Sequence, residues 1–578
     1  MPRTSPASLW ALFGAALLVL GALGLWALQR RTASEASLEA TALTAQPPTP
    51  AAAAAYRQGM ALMQQYRWAE ATPFFKQAAA LDPSFALPWL RLTVALYFLG
   101  DSRDVISDMT EAVRLSTSAP EAVRLRVEPH YFWYQGQWQK CAETARALRD
   151  REPDNFEALF PSLLLTGCVP NPESLALMAR LRASGSPATR DARFDLMEAR
   201  LAFTEHEDRR AAEALDRLDA KATGPDNRFL VAAALRQRAR LDTREGRYDV
   251  ALQRLAHAEE TYVTGGHAFE GARVAGERAE VLEAKGEFLD AAAEYERQLQ
   301  LLEKFGATYA AVLATKGGAA DYLAAGEPQR AAALLARVKA YPKRILQNVE
   351  EVYASVGRVA LEQGDMAGAA AAVEPALKNL AKDASAVEPV LLAASVEREQ
   401  DKLAAARERL EAATPVVAED PVQVRIAELL LDEKDRPAAQ KVIDGLSSDP
   451  VPKAQAARLR ARSLLLAGKA GEAKAAAVEA VDAARATRQV PVLQAAQLEL
   501  ARAEFATGDV ALAVELLQGL QTQAQAHGEG RLLFEVRLAR LQAFPRGSAA
   551  RAAAANALQS DAEKAGFLRI ARLARESH

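Results

Sequence analysis

The chain has few cysteines, few aromatic residues and almost no excess of charge of either sign. Only Cys141 and Cys168 occur among its 578 residues, which is too few for a disulfide framework and fits no metal-ligand spacing. We therefore expect both to be small buried residues. The 71 basic residues nearly balance the 74 acidic residues, so no overall field draws the chain to nucleic acid. No nucleic-acid partner is predicted.

The sequence signatures of catalysis are missing as well. No glycine-rich phosphate loop followed by Lys and Ser or Thr is present, and no two of the six histidines are spaced i, i+4. A metal or nucleotide site is therefore not indicated. The sequence predicts a protein that is not an enzyme and has no cofactor. Ala, Leu, Glu, Arg and Gln are abundant whereas Thr and Ile are sparse, which favours helices throughout.

The longest apolar run lies near the N-terminus, from Leu9 to Leu28, and contains no charged residue. As a helix it is long enough to cross the ~30 Å hydrocarbon core of a bilayer, and Trp10 and Trp26 lie near its two ends. We expect a short tail over residues 1–8 and then an uncleaved single-pass anchor over 9–28, in a bacterial inner membrane. The rest of the chain is expected to be exported rather than cytoplasmic. Residues 29–55, rich in Pro, Ala, Ser and Thr, are predicted to form a linker.

A helix–turn–helix pattern recurs along the remainder of the chain. Its first copy, Tyr56 to Pro83, joins two helical patterns by a tight turn. In most copies a turn residue, usually glycine, precedes a small residue by five positions and a large apolar residue by nine. Small residues let two helices approach closely, and one helix pair cannot bury its apolar face alone. The turn residues, 33 to 40 positions apart, are Tyr66, Gly100, Gly136, Asn171, His206, Gly246, Gly286, Gly326, Gly364, Asp401, Lys434, Gly468 and Gly508. Because Asp401 and Lys434 replace glycine, we expect their units to be less regular.

This pattern resembles the tetratricopeptide repeat. The resemblance implies an all-α fold, a right-handed superhelical solenoid of antiparallel helix pairs after one transmembrane helix, with about thirteen repeats over residues 56–545. Residues 548–576 are predicted to be a C-terminal capping helix with one polar face towards water. The segments DAEKAGFLRIARLA and ALRDREPDNFEAL resemble the repeat regions of bacterial membrane-spanning serine/threonine kinases. That second resemblance implies a binding or sensing half without a kinase domain.

In the register that the resemblance implies, residues two, three, six and ten positions before each turn face a concave groove. In the third repeat these positions hold Tyr134, Trp133 and His130. One interpretation is an aromatic pocket that anchors a peptide side chain. The other is that these residues belong to the core.

Arginines occupy the same positions in several repeats. Arg236, Arg240 and Arg244 share one helix face by their i, i+4, i+8 spacing. Guanidinium groups match carboxylates bidentately, so an acidic peptide or C-terminus is the ligand that this pattern suits. The alternative is a set of solvated charged faces. The further arginines at these positions are Arg200, Arg358, Arg458, Arg462 and Arg502.

Two functions remain open at this point. The first is a membrane-anchored scaffold that binds proteins or peptides through its groove, with membrane contact through the N-terminal helix. The second is a ligand-sensing regulatory module that works with a separate kinase or transcription regulator.

Overall fold

The structure is a computed structural model that describes residues 40–100, 102–164, 168–224, 227–341, 350–378, 387–413 and 420–577. These residues form two compact units. Unit 1 contains the described residues up to Val274 together with Lys304–Ala307, and unit 2 contains Ala275–Glu303 and the described residues from Thr308 onward.

Unit 1 is built from helices joined by short turns, with one 3-10 helix at Pro187–Arg190. The last of its helices continues into unit 2. The helices are α1 (Ala40–Ala45), α2 (Pro50–Gln64), α3 (Trp68–Leu81), α4 (Ala86–Leu99), α5 (Ser102–Ser116), α6 (Glu121–Tyr134), α7 (Trp138–Arg151), α8 (Phe156–Leu164), α9 (Asn171–Ala183), α10 (Ala192–Thr204), α11 (Asp208–Lys221), α12 (Arg228–Arg244), α13 (Tyr248–Thr264) and α14 (Ala268–Lys285).

Unit 2 continues the same architecture, with 3-10 helices at Arg337–Ala340 and Leu541–Ala543. No strand occurs among the described residues of either unit, and the regular structure there is helical, which confirms the all-α prediction. The helices are α15 (Phe288–Lys304), α16 (Thr308–Ala324), α17 (Pro328–Ala336), α18 (Glu350–Gln363), α19 (Met366–Leu377), α20 (Val387–Glu399), α21 (Leu403–Ala413), α22 (Asp420–Asp432), α23 (Arg436–Asp444), α24 (Pro450–Leu466), α25 (Ala470–Thr487), α26 (Val490–Thr507), α27 (Val510–His527), α28 (Gly530–Arg540), α29 (Ala549–Ala565) and α30 (Leu568–Arg575).

A left-handed residue ends the first helix of most pairs and turns the chain into the second helix. Glycine holds this conformation at eight of the predicted turn positions, as at Gly246 and Gly468, with φ of 76° and 72°. Tyr66, Asp401 and Lys434 adopt it as well, at φ of 61°, 63° and 66°, as does His206 at 60°. The turns at Asp401 and Lys434 therefore have the same geometry as the glycine turns, contrary to the expected irregularity.

The small residues predicted five positions after the turns pack between paired helices. Those in the middle and later repeats are fully buried, and most of the large residues that follow them are buried as well, which is the packing that the repeat pattern predicts. Burying a leucine in this way contributes about 1.5–3 kcal/mol. The buried small residues are Ala251, Ala291, Ala331, Ala369, Ala406, Ala439, Ala473 and Ala513.

The first helix of the array begins earlier than predicted. Helix α2 begins at Pro50, where the Thr49 side chain accepts a hydrogen bond from the Ala52 amide at 3.3 Å. Ala52 and Ala55 are buried, so these alanines belong to the repeat core. The linker predicted for residues 29–55 is thus corrected at its C-terminal end; residues 29–39 lie outside the described part of the chain.

The predicted C-terminal capping helix is a pair of helices. Gly566, at φ of 83°, separates α29 from α30. Helix α30 buries Ile570 and Ala574 against a core cluster that includes Leu392 and Val396. The end of the chain therefore packs onto residues of unit 2 that lie far earlier in the sequence, and this helix pair is not a cap that only faces water.

The two cysteines are joined. Cys141 and Cys168 form a disulfide with a Cα–Cα distance of 5.3 Å, which corrects the prediction of two unlinked buried residues. Both side chains are buried, as expected. Cys141 lies on α7 and Cys168 in the segment before α9. The spacing of the two cysteines in the sequence does not predict this disulfide.

Within the part of the chain that the structure describes, no helix is long and apolar enough to cross a membrane. The predicted single-pass membrane localisation, with the remainder exported, is therefore wrong for this part of the chain. The predicted tail, 1–8, and anchor, 9–28, lie outside the described residues.

Candidate functional site

Of the predicted aromatic groove residues, His130 lies in the core. Only 7% of the residue is exposed, and its Nδ1 lies 3.2 Å from the backbone carbonyl oxygen of Arg126. Burial, reinforced by the positive charge of Arg91, lowers the pKa of His130 to about 4. The imidazole is therefore neutral near pH 7, and the structure favours the core interpretation for this residue.

Trp133 and Tyr134 differ from His130 in exposure. Trp133 is half-buried and packs against the cluster around the disulfide. Its ring centroid lies 5.1 Å from that of Tyr134, which is 37% exposed. Burial of the hydroxyl, with the nearby Tyr97, raises the pKa of Tyr134. Tyr134 is the member of the predicted aromatic set that reaches the surface.

Three of the four predicted arginines of unit 1 converge with one that the sequence reasoning missed, Arg273. We call Arg200, Arg236, Arg240 and Arg273 the arginine cluster; they come from α10, α12 and α14. Arg236 donates to Glu270 at 2.9 Å, and Arg273 pairs with the same carboxylate at 3.2 Å. Glu270 is buried, so it is shared by two guanidinium groups in a region of restricted solvent access.

Two aromatic rings contact guanidinium groups of this cluster. The Arg240 guanidinium lies 4.3 Å from the centroid of the Phe203 ring. Arg236 lies 5.7 Å from the centroid of the Tyr262 ring. Such cation–π contacts hold a guanidinium in place and leave its edge available for hydrogen bonds.

Arg200 is the least compensated member of the cluster. Its guanidinium contacts the Met197 sulfur at 3.9 Å, and it has no carboxylate partner among the described residues. Burial, followed by the positive charges of Arg236, Arg240 and Arg273, lowers the pKa of Arg200. A lowered arginine pKa means that this site disfavours its own positive charge, and a bound anion would relieve that cost.

Tyr97 connects the arginine cluster with the exposed aromatic residue. Its hydroxyl is close enough to influence the pKa of both Tyr134 and Arg200, and its side chain is 43% exposed. The sequence reasoning missed it although it lies three positions before the turn at Gly100, a groove position in the predicted register. Arg273 lies outside that register and had no comparable signal.

Arg244 does not join the cluster. It pairs with Asp208 and lies 3.7 Å from the Phe203 ring centroid. Its guanidinium also donates to the Phe203 carbonyl oxygen at 3.1 Å. These contacts hold Arg244 between α10 and α11, so it links neighbouring repeats.

The predicted arginines of unit 2 are each paired with a carboxylate. Arg458 binds Glu428, Arg462 binds Asp432, and Arg502 binds Glu499 and Glu535 at 2.8 Å. Arg358 is half-exposed and lies 3.8 Å from Glu388. All four line one cavity of about 1370 Å³ inside unit 2.

The ion pairs of this cavity hold their carboxylates ionised. Burial opposes ionisation of Glu428, but the guanidinium groups of Arg425 and Arg458 outweigh it and hold the pKa of Glu428 well below its usual range. The same balance, with Arg398 and Arg462 as the cations, lowers the pKa of Asp432. These unit 2 arginines therefore already form ion pairs with carboxylates of the same unit.

No group of three or more His, Cys, Asp or Glu side chains among the described residues is arranged to hold a metal ion. The guanidinium groups of the arginine cluster can bind groups of opposite charge.

Comparison with known proteins assigns no family. No protein-family model matches the chain, and no curated protein matches it. One similar solved structure is that of the APC/C hetero-tetramer Cut9–Hcn1, with a TM-score of 0.45 and 16% identity over 79% of this chain and 88% of that chain. Another is yeast Tom70, with a TM-score of 0.30 and 15% identity over 87% of this chain and 98% of that chain. Similarity at these levels supports no argument about function.

Proposed function

We propose that the chain is a scaffold whose unit 1 binds an acidic segment of a partner protein through the arginine cluster. The observation that carries this proposal is the convergence of four guanidinium groups from three helices around Arg200. Among the described residues, Arg200 has no carboxylate of its own. A carboxylate from a partner would supply the missing charge.

The geometry suits a side chain or C-terminal carboxylate of a peptide. Arginine binds carboxylates with paired hydrogen bonds, and each such charge-assisted bond contributes about 1.5–3 kcal/mol. The partly exposed Tyr97 and Tyr134 lie along the same surface and offer apolar contact to the neighbouring residues of the bound segment.

The test is binding of a fluorescein-labelled hexaglutamate peptide to the full chain, measured by fluorescence anisotropy. The variant Arg200→Gln should weaken binding by about tenfold or more, because one charge-assisted contact is lost. Its melting temperature should be unchanged or higher, since the variant removes a charge that the fold does not compensate. Arg236 is left intact because its loss would leave Glu270 buried beside a single arginine.

The matched control is Arg209→Gln, which removes the same charge from a side chain that is 93% exposed and pairs with Glu213. Equal weakening by both variants would show general charge attraction and contradict the proposed site. Preferential binding of a single-stranded oligonucleotide would also count against a protein ligand.

The same experiment separates the scaffold from the alternative function. If citrate or inorganic phosphate binds at Arg200 and hexaglutamate does not, the result favours a ligand-sensing module that works with a separate kinase or transcription regulator. Binding of the peptide with low-micromolar affinity favours the scaffold.

A further inference from the structure

The cavity inside unit 2 contains one pair of acidic residues that its arginines do not neutralise. Most charged residues that line the cavity pair with a residue of opposite sign. Arg531, for example, binds Glu362 at 2.9 Å, and Arg398 binds Asp432 at 2.7 Å. Two acidic residues that share a hydrogen bond with each other, Glu283 on α14 and Asp321 on α16, have no such partner within the described chain, and we call them the carboxyl pair.

Asp321 is 4% exposed, and its Oδ2 atom is buried with no hydrogen-bond partner among the described residues. Its carboxyl group shares a hydrogen bond with Glu283. No lysine or arginine of the described chain forms an ion pair with either residue. A buried carboxyl oxygen with no partner is costly, and native structures rarely keep one without a reason.

The side chains around the pair add no positive charge. The Tyr295 hydroxyl hydrogen-bonds to Glu283, and Glu280 also lines the cavity. A Cβ atom at Gly317 would lie 2.7 Å from the Tyr295 ring, so the glycine lets this ring pack against α16. This packing is compatible with the contact between the Tyr295 hydroxyl and Glu283.

Burial and the proximity of Glu283 raise the pKa of Asp321 to about 8. Burial likewise raises the pKa of Glu283. At neutral pH the two carboxyl groups therefore share a proton in the absence of a cation. A cationic group that displaced this proton would form an ion pair in a partly dehydrated cavity, where such pairs are stronger than in water.

We propose that the carboxyl pair is a binding site for an organic cation, an ammonium or guanidinium group that enters the unit 2 cavity. Two carboxylates and a phenol provide too few oxygen ligands for Ca²⁺, which takes six to eight. They suit instead the three donors of an ammonium group or the forked donors of a guanidinium group. The cavity volume of about 1370 Å³ accommodates a lysine or arginine side chain together with its backbone.

The test is isothermal titration calorimetry of the full chain at pH 7.5 with two probes, spermidine as a free amine and hexa-arginine as a peptide. We expect one site, with binding weakened at least about tenfold in Asp321→Asn and in Glu283→Gln. The control Glu479→Gln removes an exposed carboxylate on α25 and should bind as the wild type does. Tighter binding of spermidine would identify a free amine as the ligand, and tighter binding of hexa-arginine would identify a side chain of a peptide.

The melting temperature without ligand distinguishes a binding role of the carboxyl pair from a role in stabilising the fold. Asp321→Asn and Glu283→Gln should keep or raise the melting temperature, because each removes a carboxyl group from an uncompensated pair. A lowered melting temperature in both variants would overturn the proposal, as would equal affinity of Asp321→Asn and the wild type. Absence of binding by both probes at millimolar concentration would overturn it as well.

Discussion

His130 shows how strongly the surroundings of one residue decide its role. It lies six positions before its turn, as do Arg200 and Arg240, yet it is buried while they belong to the arginine cluster. Its Nδ1 approaches the Arg126 carbonyl oxygen, and Arg91 contributes a positive charge nearby. A neutral buried imidazole of this kind links folding stability to pH.

We expect stability to fall as the pH decreases from about 6.5 towards 4. The unfolded chain takes up a proton at the ordinary histidine pKa of about 6.5, whereas the folded pKa of His130 is about 4. The unfolded state therefore binds more protons in this window, and the lost stability amounts to up to about 3 kcal/mol. Urea unfolding at pH 7 and pH 4.5 should show a smaller loss for His130→Gln than for the wild type.

The matched control for this experiment is His257→Gln, which removes an exposed imidazole on α13. The interpretation fails if His130→Gln and the wild type lose the same stability between the two pH values.

Residue-level prediction from sequence succeeded where the repeat itself sets the environment. The small residue after each turn, such as Ala251 or Ala473, is buried by its own helix pair. Sequence patterns are less informative where residues distant in the chain set the environment. The ion-pair partners of Arg458 and Arg462 lie on α22, and Cys141 forms a disulfide with Cys168. Whether the predicted groove residues bind a ligand stays a prediction.

At the scale of the element, the left-handed turn is imposed by the helix pair and is not a property of glycine alone. Lys434 and Asp401 adopt the same positive φ as Gly468, although a side chain disfavours this conformation by about 1 kcal/mol. Packing of the two helices on either side outweighs that cost, which is why a sequence without glycine keeps the turn.

Lys434→Gly should stabilise the chain by up to about 1 kcal/mol, because it removes the steric cost of a side chain at positive φ. The Lys434 amide already closes the turn on the Leu431 carbonyl at 3.2 Å, and that bond survives the substitution. Differential scanning calorimetry would measure the shift in the melting temperature.

Gly468→Ala is the reciprocal variant. A Cβ at Gly468 would meet no atom within 4 Å, so its expected destabilisation of about 1 kcal/mol comes from the backbone conformation alone. A stabilising effect of Gly468→Ala, or a destabilising effect of Lys434→Gly, would contradict this account of the turns.

Element boundaries were harder to predict than the elements themselves. The sequence predicts a linker at the alanine-rich start of α2 because a run of alanines has too little apolar bulk to indicate a core. The small side chain of alanine is nevertheless what allows close contact between helices. The division of residues 548–576 at Gly566 does have a local signal, since Gly566 precedes a small residue, Ala571, by five positions, as the earlier turns at Gly246 and Gly286 do. The high alanine content of the preceding residues makes the whole segment resemble one helix, so the boundary at Gly566 is not predicted.

At the scale of the whole molecule, the nearly equal numbers of acidic and basic residues are explained in part by internal pairing. In unit 2 the Arg569 guanidinium is almost fully buried and bonds to Glu399, 3.0 Å away, and to Glu535. Arg531 approaches Glu399 as well, at 3.4 Å. These pairs join α20, α28 and α30, which lie far apart in the sequence. Unit 2 is therefore more than a stack in which each repeat touches only its neighbours.

Arg569→Met should consequently destabilise α20 as well as α30, the two helices that the Arg569–Glu399 ion pair joins. Removing one member of a buried ion pair typically costs about 3–5 kcal/mol, and we expect the lower end here because Glu399 keeps Arg531 and Glu535 keeps Arg502 as partners. Native-state hydrogen exchange should show faster exchange in α20 as well as in α30, because Glu399, the last residue of α20, loses its nearest guanidinium partner.

The comparison variant is Arg575→Met, in the last turn of the same helix, where the side chain is exposed; it should leave α20 protected. If Arg569→Met accelerated exchange only in α29 and α30, unit 2 would behave as a stack of nearest neighbours, and the coupling argued from Glu399 would be refuted. Arg569→Met combined with Glu399→Gln should recover part of the lost stability, since the second substitution removes one of the two buried carboxylates that lose a guanidinium partner in the first. Full additivity of the two substitutions would mean that the Arg569–Glu399 contact contributes nothing to the coupling.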